Sequence, residues 1–203
     1  MMRKSFRRVL VIGPTGSGKT TLAVRLATES RLPHVELDLL RYRSNWREVP
    51  TGEFIDQVGA ATQAPCWIID GNYSAVRNLT WSRADLVVWL DYSLPVILYR
   101  LLTRTIHRLF TKANIGNENR EQLLRVLGRR SILLWAIRSH APLRKEYEIM
   151  VKSLHSDAPY VIRHRSPKET RVWLSEVHAV GPGSGADDED EVTGISWATA
   201  DRY

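Results

Sequence analysis

Arg8-Val-Leu-Val-Ile-Gly-Pro-Thr-Gly-Ser-Gly-Lys-Thr20 is the stretch that decides the fold. Arg8–Ile12 is apolar and β-branched after its first residue, the composition of a short buried strand, and Gly13-Pro14 stops it. A helix is expected from about Gly18 to Ser30. Between the two, Gly13-Pro14-Thr15-Gly16-Ser17-Gly18-Lys19-Thr20 fits the pattern G-x-x-x-x-G-K-[ST], with the strand before it and the helix after it that give the pattern its meaning. The glycines let the backbone turn tightly enough to aim several N–H groups at a β-phosphate. The following helix presents its own free N–H groups and positive dipole end to the same anion. Lys19 is expected to reach the β- and γ-phosphates, and Thr20 to ligate Mg²⁺. The expected ligand is a nucleoside triphosphate, ATP with Mg²⁺, although no base-reading motif separates ATP from GTP.

Outward from this loop, Val35–Asp38 reads as a second strand. Glu53–Gln63, with Phe54, Ile55, Val58 and Ala61 apolar, has helical spacing. Cys66–Ile69 and Leu86–Leu90 are continuous apolar runs ending on Asp70 and Asp91, a pattern that suits strands buried on both faces of a parallel sheet. From Pro95 to about Ser153 the chain is helical and basic: an arm to roughly Thr111, a polar break at Ala113–Asn119, then one or two helices through Leu123, Leu124, Leu127, Leu133, Leu134 and Ile137. Tyr160–Ile162 is a last strand. Ser166-Pro167-Lys168-Glu169 carries the N-terminal signature of a helix expected to end near Val180. The predicted class is α/β, a parallel sheet flanked by helices, with a helical lid arm over about 95–153. Gly181–Gly185 and the acidic cluster after it lack the apolar content that offsets ordering entropy. The expected organisation is therefore one domain over 1–180 and a disordered acidic tail over 181–203.

A length of 203 residues suits one such domain. No apolar run reaches eighteen residues, and Met1–Arg8 leads into a strand rather than a signal-peptide core, so a soluble cytoplasmic protein without membrane partners is expected. The single cysteine, Cys66, sits beside Trp67, Ile68 and Ile69 and reads as a small hydrophobe rather than a nucleophile. Charge is uneven. Of 29 basic and 22 acidic residues, the tail holds Arg202 against Asp187, Asp188, Glu189, Asp190, Glu191 and Asp201, which leaves 28 against 16 in the body, a net +12. That field favours nucleotides, phosphorylated metabolites or a nucleic-acid backbone without choosing among them.

Two aspartates compete for the metal. Both fall at carboxyl ends of strands, where ligands bind in parallel sheets. Asp70 is preferred because Gly71-Asn72-Tyr73 would leave its carboxylate open to hydrated Mg²⁺, whereas Asp91 runs into Ser93 and Pro95 and can simply start a helix. Asp38 is placed to orient or deprotonate an attacking hydroxyl, or else to pair with Arg41 or Arg43. Arg100, Arg104 and Arg108 recur every four residues along one helical face. With Asn117, Arg120, Arg138 and Arg144 they are candidates to converge on transferring phosphates, the alternative being a solvated stripe. Of the tryptophans, Trp89, Trp135 and Trp173 are read as packing residues, and Trp46 and Trp81, in polar surroundings, as candidates to stack on a base or sugar.

Taken together, these segments resemble the adenylate-kinase-related P-loop proteins labelled DNA topology modulation proteins. The likeness covers about residues 8–176. It rests, beyond the loop, on Val35-Glu-Leu-Asp38, Ser44-Asn-Trp46, Trp67-Ile-Ile-Asp-Gly-Asn-Tyr73 with Arg77, Trp81-Ser-Arg-Ala-Asp85, Leu90-Asp91, Arg100 with Arg104, Gly116-Asn-Glu-Asn-Arg120, Ser131-Ile-Leu-Leu-Trp135, and Arg144 with Tyr147. The resemblance implies a nucleotide-kinase-like sheet, an adenylate-kinase-like phosphate site and lid arginines at Arg100 and Arg104. In the wider adenylate kinase family the Asp-Gly pair leads to an arginine that grips the acceptor phosphate; here Tyr73 and Ser74 follow, and Arg77 stands one helical turn later.

The leading expectation is phosphoryl transfer from ATP-Mg²⁺ to a small acceptor, with Lys19, Asp38, Arg100, Arg104 and Arg120 in the chemistry, Gly13–Thr20 on the nucleotide, and Thr20 and Asp70 on the metal. The alternatives are a nucleic-acid-associated NTP-binding protein or ATPase, with Arg100–Lys145 on a phosphate backbone, and a nucleotide-binding regulator with little turnover.

Overall fold

A computed structural model describes residues 4–111, 114–115, 119–120, 132–154, 159–180 and 194–197. Five strands, β2 (Arg8–Ile12), β3 (His34–Glu36), β6 (Trp67–Asp70), β7 (Leu86–Leu90) and β10 (Tyr160–His164), form one sheet in the order β10-β7-β2-β6-β3. Every pairing in it is parallel. The first strand of this sheet lies in its centre; the next two strands, β3 and β6, lie on one side of it and the last two, β7 and β10, on the other. A crevice therefore opens at the carboxyl end of β2, between β6 and β7, which is where such sheets bind ligands.

Strand alternation builds a core on each face. Val9 and Val11 point to one side, against Leu22, Ala23 and Leu26 of α1 (Lys19–Ser30), Ile97 and Leu101 of α5 (Leu94–Thr111), and Trp173 and Leu174 of α7 (Pro167–Glu176). Leu10 and Ile12 point to the other, against Leu37 of α2 (Leu37–Arg41), Phe54 and Val58 of α3 (Thr51–Ala61), Val76 and Trp81 of α4 (Ser74–Arg83), and Tyr147 of α6 (Ile132–Lys152). Covering both faces is what makes β6 and β7 continuously apolar. The Ser166 cap forms as expected: its hydroxyl accepts from the Glu169 N–H at 3.2 Å, while Glu169 accepts from the Arg165 N–H at 2.7 Å.

Several expectations change. Val35–Asp38 is not one strand. β3 pairs with β6 only as far as Glu36 opposite Asp70, where β6 ends, and with no further ladder to join the chain turns into α2 at Leu37. The final helix stops at Glu176, because His178–Val180 leaves as β11. Gly194–Trp197, inside the span expected to be a disordered tail, is strand β12; it runs antiparallel between β11 and β1 (Lys4–Phe6) and buries Ile195. The rest of 181–203 lies outside the described residues. Trp81 belongs to α4, not to a loop, and is buried and stacked on Tyr147 with centroids 6.3 Å apart. Trp135, read as a packing residue, is 63 % exposed.

β4 (Tyr42–Arg43) and β5 (Arg47–Glu48) flank a single 3-10 turn at Ser44–Trp46, and β8 (Asn114–Ile115) pairs with β9 (Asn119–Arg120) between α5 and α6. Leu123, Leu124, Leu127 and Asn117 lie outside the described residues. No helix among the described residues is long and apolar enough to cross a membrane.

Candidate functional site

The loop between β2 and α1 can close only with glycine at two points. Gly13 has φ +148°, and a Cβ there would come within 2.6 Å of the Leu90 carbonyl oxygen. Gly16, at φ +84°, would drive a Cβ to 2.7 Å from Leu101 Cγ. Gly18 then caps α1 from the left-handed region with no side chain accepting from the first helical N–H groups, so those donors remain available to an anion. Inside the loop Ser17 is 1 % exposed, and its hydroxyl has no hydrogen-bond partner among the described residues. Lys19 folds back so that Nζ donates to the Pro14 carbonyl at 3.2 Å. Burial pushes the Lys19 ammonium below its ordinary value, with nearby Asp38, Asp70 and Glu36 opposing that shift and Arg104 adding to it.

Arg100 reaches this loop from α5. Its Nη1 donates to the Ser17 carbonyl at 2.6 Å, and its guanidinium lies 5.1 Å from the Tyr92 ring centroid. It is therefore no part of a solvated stripe. Arg104, one turn on, is half-buried near the Lys19 ammonium. Arg120 is carried by β9, which lies against Ser44–Trp46. The side chains of Arg108 and Arg120 lie outside the described residues.

The two competing aspartates have different surroundings. Asp70, 2 % exposed, accepts from Thr20 Oγ1 at 2.6 Å, and its other oxygen stands 2.9 Å from His34 Nε2. Thr20 begins α1 and Asp70 ends the neighbouring strand β6, so the sheet itself brings a hydroxyl and a carboxylate together beside the loop. These are hard oxygen donors of the kind Mg²⁺ takes. Asp91 is instead locked between cations. It accepts from Arg163 Nε at 2.9 Å and Nη2 at 2.6 Å, and Arg144 Nε lies 3.3 Å away. Glu148 shares Arg163 at 2.7 Å, and the Arg163 guanidinium sits 4.2 Å from the Trp89 ring centroid.

Asp38 stands in the first turn of α2 rather than at a strand end, and it accepts from the Tyr73 hydroxyl at 2.5 Å. Burial and the adjacent Asp38 carboxylate push the Tyr73 phenol upward, so it stays a donor at neutral pH. Of the alternatives for Asp38, neither arginine is its partner here: Arg41 bonds Glu48 and the Val49 carbonyl, and Arg43 bonds Glu53. Arg77 pairs with Glu146 and lies over the Tyr147 ring. Trp46, in the left-handed region at φ 58°, packs edge-on against Tyr42 with centroids 5.7 Å apart.

Four contacts were not read from the sequence: His34 on Asp70, Tyr73 on Asp38, Arg163 on Asp91, and Asn72, whose side-chain amide bonds both the N–H and the carbonyl of Gly13. Only Asn72 and Tyr73 carried a signal, as neighbours of Asp70-Gly71.

Residues 9–78, from β2 into α4, match the ATPase family associated with various cellular activities (AAA). No curated protein matches the sequence. Among solved structures, the chain superposes on the shikimate kinase of Bacteroides thetaiotaomicron with TM-score 0.50 at 14% identity, over 84% of this chain and 95% of that one. A sugar kinase from a Janibacter species shares 18% identity over 83% of this chain and 91% of that one, with TM-score 0.45. A gluconokinase from Sinorhizobium meliloti shares 18% identity over 71% and 97%, with TM-score 0.39. The fold is the parallel α/β sheet of P-loop proteins.

Proposed function

We propose that this chain binds ATP with Mg²⁺ on Gly13–Thr20 and transfers the γ-phosphoryl group to a hydroxyl of a small acceptor beside Asp38. The observation that carries the reading is the Thr20–Asp70 hydrogen bond of 2.6 Å at the loop, within electrostatic reach of a Lys19 that Asp38 also influences. Nucleotide side and acceptor side thus meet at one ammonium.

Thr20 and Asp70 fit a magnesium ion, which when bound would neutralise charge on the phosphate oxygens; His34 keeps the Asp70 carboxylate oriented. Loop N–H groups and the start of α1 hold the β-phosphate. Lys19 leaves the Pro14 carbonyl for the phosphates, a move its buried position favours because a desolvated cation gains most from an anionic partner. Asp38 accepts the acceptor's hydroxyl proton as its oxygen bonds to phosphorus and the bond to the β-phosphate oxygen breaks, leaving ADP. Arg100, Arg104 and Arg120 supply positive charge to the phosphoryl group in transit, with α5, the β8–β9 hairpin and α6 acting as the lid that carries them. The inward course of Arg100 supports this reading over an arm laid along a nucleic-acid backbone.

The test is a transfer assay with γ-labelled ATP and Mg²⁺ against pooled nucleosides, nucleotides and small alcohols. Label should reach an acceptor with the wild type and with neither Lys19→Ala nor Asp38→Ala. ATP binding without transfer across the panel would overturn the proposal.

A further inference from the structure

The carboxyl ends of β3 and β6 and the start of α2 have their own charge pattern. Glu36 and Asp70 are register partners at the carboxyl ends of β3 and β6, and Asp38 follows in the first turn of α2. Burial first, and then the neighbouring Asp70 and Asp38 carboxylates, push the Glu36 carboxyl above its ordinary value, with His34 and Lys19 opposing. The Tyr73 hydroxyl donates to Asp38, and the Tyr42 phenol lies within electrostatic reach of both. With Asp70 buried and held by Thr20 and His34, this surface offers two carboxylates, Glu36 and Asp38, and two phenols.

Its arginines are already committed. Arg41 donates to the Val49 carbonyl at 2.7 Å and to Glu48 at 2.5 Å, and lies 5.5 Å from the Phe54 ring centroid. Arg77 holds Glu146 and covers Tyr147, and Arg43 donates to Glu53 at 2.6 Å. Calling Arg41 or Arg77 onto an acceptor phosphate would strip a partner from Glu48 or Glu146 and uncover an aromatic ring. An anion seated beside Asp38 would meet carboxylates first. A polyhydroxyl compound fits the same surface well: its hydroxyls donate to Asp38, to Glu36 and to a phenol oxygen.

We infer that the acceptor is a polyhydroxyl compound bearing neither phosphate nor carboxylate, neutral or amine-bearing, held by Glu36, Tyr42 and Tyr73 with its reacting hydroxyl on Asp38. This rests on the phosphoryl-transfer reading above and names its substrate class.

The experiment uses the full chain, Mg²⁺ and γ-labelled ATP with matched acceptor pairs: a sugar or polyol against its phosphate ester or acid, amino sugars, and nucleosides against nucleoside monophosphates. The expected result is kcat/KM at least about tenfold higher for the uncharged or amine-bearing member, the scale of one charge misplaced at a binding surface. Glu36→Gln should raise the acceptor KM about tenfold, the scale of a charge-assisted hydrogen bond, with the KM for ATP unchanged. Equal rates within pairs, or preference for the anionic members, would overturn the inference while leaving the kinase reading standing. An anionic preference abolished by Arg120→Ala would do the same and assign the gripping cation to β9. Failure of every acceptor, with ATP bound, would overturn the kinase reading and this inference together.

Discussion

The Tyr147 hydroxyl donates to Asn72 Oδ1 at 2.6 Å. The Asn72 amide in turn bonds the N–H and carbonyl of Gly13, so a residue of α6 grips the first residue of the phosphate loop through one intermediary. Tyr147 is 1 % exposed and wedged against Trp81 and Trp89, so the grip has a rigid anchor.

Asn72→Ala should therefore lower ATP affinity by about tenfold, since it leaves two Gly13 backbone groups without their partner at a cost on the order of 1–3 kcal/mol. Tyr147→Phe should lose less, because the Asn72 amide can still clasp Gly13. In a double-mutant cycle by calorimetry the two effects should be non-additive; strict additivity would mean that Tyr147 and the loop are uncoupled.

The Thr20–Asp70 pair predicts a particular phenotype. Thr20→Ala and Asp70→Asn should each remove most of the Mg²⁺-dependent gain in nucleotide affinity while leaving metal-free binding close to wild type, because the loop N–H groups that hold the phosphates are backbone groups and do not depend on either side chain. Titrations of ATP with Mg²⁺ and with a chelator separate the two contributions.

Tyr73→Phe removes the hydrogen bond that the Tyr73 hydroxyl donates to Asp38. We expect kcat to fall roughly tenfold, as the Asp38 carboxylate loses its orienting donor, a loss on the order of 1–2 kcal/mol. The KM for ATP should hold. Steady-state kinetics check this, and an equal loss in nucleotide binding would count against a positioning role.

His164 makes a pH prediction. It is 4 % exposed, stands 3.1 Å from Thr170 Oγ1 and packs on Trp173, and burial lowers its pKa from 6.5 to about 4. The unfolded chain therefore binds a proton that the folded chain refuses. Stability is full above about pH 6.5 and falls as pH drops toward about 4, by on the order of 3 kcal/mol from this residue. Urea melts should show that His164→Gln loses less stability than the wild type between pH 6.5 and pH 4.

Arg163→Met should be costly, because it leaves Asp91, 5 % exposed, and Glu148 without their best cation. A loss on the order of 3–5 kcal/mol is expected. Arg163→Met with Asp91→Asn should recover part of it, as thermal melts would show.

How much of this was legible depends on distance along the chain. Arg8–Thr20 carries strand, loop and helix in thirteen consecutive residues, and the apolar runs before Asp70 and Asp91 can be buried in only one way, so the sheet and its loop follow from local pattern. Asp38 was legible as a residue but not in its setting, because where β3 stops depends on where β6 stops. Trp81 read as a loop residue because Thr80 and Ser82 are polar, yet both hydroxyls bond back to their own helix, which hides their polarity.

By itself, then, the sequence determined a central strand, a phosphate-binding loop and the helix behind it, because those signals are short-range and each needs specific residue types within one turn. Only the tertiary structure shows how the surroundings of Asp70 and Asp91 differ. Both close an apolar strand, and what distinguishes them is what other elements deliver across space: Thr20 and His34 to one, Arg163 and Arg144 to the other. A carboxylate's role is set by the charges packed around it, and a chain brings those from residues far apart in sequence.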